Sequence, residues 1–149
     1  LPNVRLAEPN GQPDPIGHHV LEEIFFRRLD KSLVAPEALQ ALIQASGGLV
    51  GTLIRLGSIS AEYALVDHKT IIDLPSAEQA IADMRGDFKA LMRREDYDVC
   101  RRLLKGEELP NEEAKREALY SGCLLEYQNH EPWLGVNPIV RPLVERAAT

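Results

Sequence analysis

The chain has 149 residues, which is the size of one domain or of two small ones. It is 44% hydrophobic and 27% charged, a globular balance that provides material for a buried core and argues against disorder along most of its length. The net charge of −6 argues against a general nucleic-acid coat and gives no support for binding to an anionic membrane.

The composition also indicates a cellular setting. No apolar run approaches the roughly 20 residues that a membrane span requires, and no signal-peptide pattern opens the chain. Cys100 and Cys123 are too few for a disulfide scaffold and lack the spacing of metal ligands. We therefore expect a cytoplasmic protein in a reducing compartment. Because the chain starts at Leu1 without an initiator methionine, we also expect it to be a piece of a longer protein.

The first part of the chain predicts an extended entry followed by helices. Residues 1–17 hold four of the ten prolines, so we expect an extended segment and a loop there. Apolar residues at helical spacing predict a helix over residues 18–30. Pro36 fits the first turn of a second helix, which the Ser-Gly-Gly sequence at residues 46–48 ends.

Two further helices complete a first domain over residues 18–92. Residues 49–66 predict the third helix, whose interior glycines favour close helix packing. The fourth helix is expected to start at Ser76, an N-cap with Gln79 at capping-box distance, and to run to about Met92.

Residues 93–149 predict two more helices joined by a turn. Asp96 is expected to cap a helix that ends at Gly106, and Asn111 is expected to cap a second helix over residues 112–121.

A hairpin follows these helices. The apolar period changes to two over residues 124–127 and 133–136, which predicts two short strands around a turn at residues 128–132. Pro138 is expected to open a last helix. Helix, turn, helix and hairpin form the layout of a winged helix-turn-helix, so the predicted fold class is mainly α with one small β-hairpin.

The sequence offers little catalytic chemistry. No Gly-x-x-x-x-Gly-Lys-Ser/Thr loop is present to cradle nucleotide phosphates. His18 and His19 are neighbours on a predicted helix and point about 100° apart, which argues against a shared metal ion. Neither cysteine has an activating base nearby in sequence. We predict an isolated chain with no catalytic residue and no metal site.

The second helix and the hairpin are the candidates for contact with DNA or with a partner protein. Residues 111–122 offer Lys115 and Arg116 against three glutamates, a net charge of −1, which favours protein contact or intramolecular docking over the reading of DNA. Tyr127 and Trp133 flank the hairpin turn and can stack on each other, on a base or on the preceding helices. The commoner role of a lone tryptophan there is to anchor the wing.

One stretch resembles a known family. Residues 38–48 (ALQALIQASGG), followed by residues 53–56 (LIRL), are similar to the lid of AAA+ ATPases of the origin-recognition and STAND-like type. In that group a helix ends in Ser-Gly-Gly and the next helix carries the sensor-2 arginine. The likeness continues through Ile71-Ile72 and a winged helix that closes with residues 124–127 and 136–140, so it covers nearly the whole chain.

The resemblance implies a four-helix AAA+-type lid followed by a winged helix, as the non-catalytic end of a bacterial ATP-binding protein. ATP and Mg²⁺ would be bound by the parent protein, and the first partner would be its upstream P-loop core. At the usual sensor-2 position this chain has Gly51. Arg55 follows one helical turn later, where the resemblance implies either partial reach towards the nucleotide or, more in keeping with the family, its second, structural arginine. This departure argues against efficient ATP hydrolysis but not against nucleotide binding. The alternatives are a stand-alone winged-helix DNA-binding protein and a protein-interaction module.

Overall fold

A computed structural model describes residues 3–128 and 131–148 of the chain. Within these residues the protein has seven α-helices, one short 3₁₀ helix and a two-stranded antiparallel hairpin, which confirms the mainly α class. None of the described helices is long and apolar enough to cross a membrane. The elements are α1 Pro15–Phe26, α2 Pro36–Ser46, α3 Val50–Val66, α4 Leu74–Leu91, α5 Arg94–Leu104, α6 Glu112–Tyr120, β1 Leu124–Tyr127, β2 Trp133–Val136 and α7 Arg141–Ala147.

The described chain divides into two compact units. The N-terminal unit is Asn3–Met84, and the C-terminal unit starts at Arg85, so the division falls within α4. Each unit has a buried core of its own. The assignment of a lid to residues 18–92 and of a winged helix to residues 93–149 remains a prediction.

Helix α1 begins at Pro15, three residues earlier than the proline-rich sequence predicts. The predicted end of the extended segment, at residue 17, is therefore wrong. The Asp14 carboxylate accepts from the backbone N–H groups of Ile16 and Gly17, at 3.0 and 3.4 Å, and Pro15 occupies the first helical position, where it loses no hydrogen bond. Leu1 and Pro2 lie outside the described residues.

The core of the N-terminal unit comes from one face of each of the first four helices. The α1 helix ends at Phe26, four residues before its predicted end, and buries Leu21 and Phe25. Gly57 of α3 packs directly against the Phe25 ring, as expected of a small residue at a helix crossing. The largest fully buried side chains of this unit are those of Leu21, Leu42, Ile43, Leu53 and Leu56.

The predicted N-cap of α4 is also wrong. Asp73 takes the capping role, because its Oδ1 accepts from the backbone N–H and the hydroxyl of Ser76, at 3.1 and 2.7 Å. The helix therefore starts at Leu74 and accommodates Pro75 in its first turn. Gln79 donates to Asp83 at 3.3 Å instead of closing a capping box.

The C-terminal unit shows the predicted succession of helix, helix and hairpin. Asp96 does not cap α5 but lies at its third position, where its buried carboxylate accepts from the Arg93 N–H at 2.8 Å. Asn111 caps α6 as predicted, since its Oδ1 accepts from the Ala114 N–H at 2.8 Å. Gly106 follows the end of α5 with φ +71°.

The hairpin is confirmed at both predicted strands. Leu124 pairs with Val136 and Tyr127 with Trp133, so the two strands are in register from end to end. Two residues of the predicted turn, Asn129 and His130, lie outside the described residues.

The last helix, α7, begins at Arg141 rather than at Pro138. Asn137 is buried and holds the chain in a turn, because its side chain donates to the Gly122 carbonyl and accepts from the Ile139 N–H.

Candidate functional site

The turn between α2 and α3 is the first candidate region. Gly47 ends α2 in the left-handed conformation, with φ 62° and ψ 17°, and Gly48 follows with φ 89°. The Ser46 hydroxyl is buried, donates to the Ile43 carbonyl at 2.6 Å and accepts from the Gly48 N–H at 3.2 Å. The Ser-Gly-Gly sequence thus has a local structural reason, since only glycine adopts two consecutive positive φ values without strain.

Gly48 also makes a close backbone contact. The Val4 N–H donates to its carbonyl at 2.9 Å, and a Cβ at Gly48 would overlap the Val4 carbonyl oxygen. Gly17 of α1 approaches Arg5 in the same way. The entry segment is therefore held against both α1 and the turn that opens α3.

The two residues predicted for the sensor-2 region lie on the first turns of α3. Gly51 is exposed, and a Cβ built there meets no atom within 4 Å. Arg55 is also exposed and lies one helical turn further along. The N-cap of α3 is Leu49, whose side chain offers no acceptor, so the cap gives no side-chain hydrogen bond to the first N–H groups of the helix. Two exposed positions therefore follow a helix start that carries partial positive charge.

A partly buried ion pair near this region was missed by the sequence reasoning. The Arg5 Nε donates to Asp14 Oδ2 at 2.9 Å, and Arg5 also lies 3.2 Å from Glu8. The Arg5 guanidinium holds the pKa of the Asp14 carboxyl below its usual value. The Asp14-Pro15 pair is a helix-start signal that could have identified this carboxylate, but the dense prolines around it favoured a loop.

The second candidate region is the outer face of α6. Arg116 is exposed and Lys115 is half-buried, and their role as contact residues stays a prediction. Beside them Arg93 Nη2 binds Glu117 Oε2 at 2.9 Å, and this contact raises the pKa of the arginine. Charges of both signs thus alternate across the surface.

An apolar groove, missed by the sequence reasoning, lies next to this surface. It has a volume of about 590 Å³, and its lining includes Leu91 and Tyr120, which are 80% and 96% exposed. Tyr120 lies outside the apolar stripe of Ala114 and Ala118. An aromatic residue on the otherwise polar face of α6 was the sequence feature that could have predicted this groove. The remaining lining residues are Arg93, Asp96, Arg116, Glu117 and Ser121.

The hairpin aromatics stack on each other. The rings of Tyr127 and Trp133 lie 4.5 Å apart at an interplanar angle of 24°. Tyr127 is only 6% exposed, and its burial raises its pKa to about 12. Of the two predicted contact residues, Trp133 is the more accessible, and its indole has one face covered by the tyrosine.

Among the residues that the structure describes, no group of three or more His, Cys, Asp or Glu side chains is arranged to hold a metal ion. His19 instead lies 3.3 Å from Glu23, one turn along α1. Comparisons with protein-family models, curated proteins and solved structures gave no match to this chain.

Proposed function

We propose that the chain is the non-catalytic C-terminal region of a bacterial ATP-binding AAA+/STAND-like ATPase, a helical lid followed by a winged helix that couples nucleotide state to contact with a partner. The observation that carries the proposal is the start of α3. There a left-handed Gly-Gly turn leads into a helix of 17 residues, with Gly51 and Arg55 exposed on its first turns.

The physical role follows from charge. The first N–H groups of a helix and its positive dipole end favour an anion, and an arginine one turn later adds a full positive charge. A P-loop core of the same protein would hold ATP and Mg²⁺, and Arg55 would meet the terminal phosphates when the lid closes. Loss of the γ-phosphate would then weaken closure and change what the C-terminal unit contacts.

The first test needs only this chain. Incubated with radiolabelled ATP and Mg²⁺, it should release no phosphate above a buffer blank. Turnover by the isolated chain would contradict a lid without catalytic residues.

The second test uses the longer protein. The coding sequence before Leu1 should contain a P-loop within roughly 250 residues, the usual upper size of one domain. In that protein, Arg55→Ala should weaken ATP binding by about tenfold or more, as expected for one lost charge-assisted hydrogen bond. Arg27→Ala, which removes an exposed arginine at the end of α1, is the matched control.

Gly51→Arg is the sharper variant. Open space surrounds this position, so an arginine fits without repacking and restores the family's usual residue. We expect faster ATP hydrolysis by the longer protein, with Gly51→Ala as the control for helix propensity. An unchanged rate in Gly51→Arg, together with unchanged binding in Arg55→Ala, would refute the proposal.

Protein contact through the α6 surface is the second candidate function. It is favoured by the groove that exposes Leu91 and Tyr120, because large exposed apolar side chains beside an arginine are typical of protein interfaces. Pull-down with the upstream core should fall in Tyr120→Ser. It should be unchanged in Glu107→Ser, which alters an exposed residue beyond the groove.

A further inference from the structure

Both cysteines of the chain meet inside the C-terminal unit. Cys100 belongs to α5, Cys123 directly precedes β1, and the two residues are 0% and 1% exposed. The Cys100 thiol donates to the Cys123 carbonyl oxygen at a distance of 3.8 Å, and both side chains belong to one buried cluster. Two side chains that are 23 positions apart thus face each other in one core.

A buried cysteine by itself is ordinary packing, since a free thiol behaves as a small hydrophobic group. Two buried cysteines in one cluster, with one sulfur 3.8 Å from the backbone of the other residue, are in addition close enough for side-chain rotation to bring the two sulfurs together. We propose that Cys100 and Cys123 form an intramolecular disulfide when the chain meets a small disulfide oxidant such as oxidised glutathione. The bond would join α5 to the start of β1 across the whole of α6.

The directions of the two pKa shifts indicate the order of the reaction. Interaction with Cys100 lowers the pKa of the Cys123 thiol, whereas interaction with Cys123 and burial raise the pKa of Cys100. The Cys123 thiolate attacks one sulfur of oxidised glutathione, forming a mixed disulfide and releasing one glutathione thiolate. Cys100 then loses its proton and attacks the Cys123 sulfur, which expels the second glutathione. Two electrons and two protons pass from the protein to the oxidant.

Access to the buried thiols depends on α6. This helix lies between the two cysteines in sequence, and Ala118, its one buried residue, belongs to the same core cluster as both thiols. The helix is only nine residues long, and besides Ala118 it packs Ala114 and Leu119 only partly against this cluster, so we expect it to open more readily than the core around it. Oxidation should therefore follow transient opening of α6.

The cap of α6 gives a direct test of this route. Asn111→Ala removes the acceptor for the Ala114 N–H and should speed disulfide formation about fivefold, because loss of a cap makes opening easier by about 1 kcal/mol. Asn111→Asp keeps the acceptor and should leave the rate unchanged.

The main experiment uses the full wild-type chain in reduced and oxidised glutathione mixtures. Samples are quenched with acid, unfolded, alkylated with N-ethylmaleimide and weighed by mass spectrometry. We expect both thiols to disappear together in a monomeric chain that is 2 Da lighter, an amount fixed by the loss of two hydrogens. Cys100→Ala and Cys123→Ala should yield only the glutathione adduct.

Thermal unfolding then shows whether the bond fits the native fold. The oxidised chain should unfold at a higher temperature, by roughly 5–10 °C for the C-terminal unit, because the closed loop restricts the unfolded chain. Addition of dithiothreitol should abolish the rise. The proposal is overturned if wild-type thiols stay alkylatable in oxidised glutathione, if the bond forms only between two chains, or if it lowers the unfolding temperature.

Discussion

Gly48 and Gly51 lie three residues apart, yet the structure leaves no room for a side chain at Gly48 and leaves open space for one at Gly51. Gly48 has a φ of 89°, and a Cβ there would overlap the Val4 carbonyl oxygen. Gly51 is in the helix α3 and faces open space. The first glycine is thus required by the entry segment, whereas the second only weakens its helix.

Alanine at each position separates the two roles. Gly48→Ala should lower the free energy of unfolding by about 2 kcal/mol or more, through backbone strain and the lost Val4 contact. Gly51→Ala should raise it by up to about 1 kcal/mol, the difference in helix propensity. Urea denaturation followed by circular dichroism measures both, and equal effects would contradict this account.

Asp73 makes stability depend on pH. Hydrogen bonds from Ser76, and then the contact with Lys69, lower its pKa from 3.8 to about 2. Because the folded-state pKa lies below the unfolded value, the ionised carboxylate stabilises the fold above pH 3.8, and this contribution is lost as the pH falls through about 2.

The variant Asp73→Asn removes this titration and keeps an oxygen acceptor for Ser76. The difference in unfolding free energy between wild type and variant should be constant above about pH 5 and shrink between about pH 4 and pH 2. Denaturation curves over this range give the difference. A gap that persists undiminished at pH 2 would rule out the carboxylate as its source.

At the scale of elements, most helices and both strands could be predicted from periodicity, whereas several helix starts could not. Ser76 and Asp73 are both good caps three residues apart, and sequence alone does not say which one accepts hydrogen bonds. Asp96 has the right chemistry for a cap but reaches back from the third helical position. The turn before α6 offers no other N-cap residue beside Asn111, and the prediction that Asn111 caps this helix is confirmed.

The same limit applies to the candidate sites. The placement of Gly51 and Arg55 on one exposed stretch of α3 follows from helical spacing, so sequence was sufficient there. The Arg5–Asp14 pair and the groove at Leu91 and Tyr120 depend on how separate segments pack. Tertiary contacts of this kind leave no periodic signal in the chain.

The stacked hairpin aromatics allow a test of an anchoring role against a base-contacting role. Trp133→Ala removes the ring that covers Tyr127 and should lower the unfolding free energy by about 2–3 kcal/mol, with loss of near-ultraviolet circular dichroism. Trp133→Phe keeps an aromatic face and should cost less than half as much. A stable Trp133→Ala variant would indicate that the indole serves a ligand rather than the fold.

At the scale of the whole molecule, the net charge favours a protein over DNA as the proposed partner. The net charge of −6 repels a polyanion, and α6 carries three glutamates against one lysine and one arginine. Arg93 is engaged by Glu117, so its charge is partly neutralised by the protein itself. We therefore expect no shift of a labelled duplex by micromolar wild-type chain.

Reversing charge on α6 tests whether repulsion alone prevents DNA binding. Replacing Glu112 and Glu113 by lysine changes the helix from −1 to +3 and the chain from −6 to −2. If α6 is presented as the second helix of a winged helix, this variant should shift duplex DNA at low salt, and the shift should vanish as salt rises.

Lysines at Glu107 and Glu108 change the net charge equally but lie outside α6, and they should give a weaker shift. Equal shifts by the two variants would mean that net charge governs binding and α6 has no special role, while a shift by wild type would favour the DNA-binding alternative.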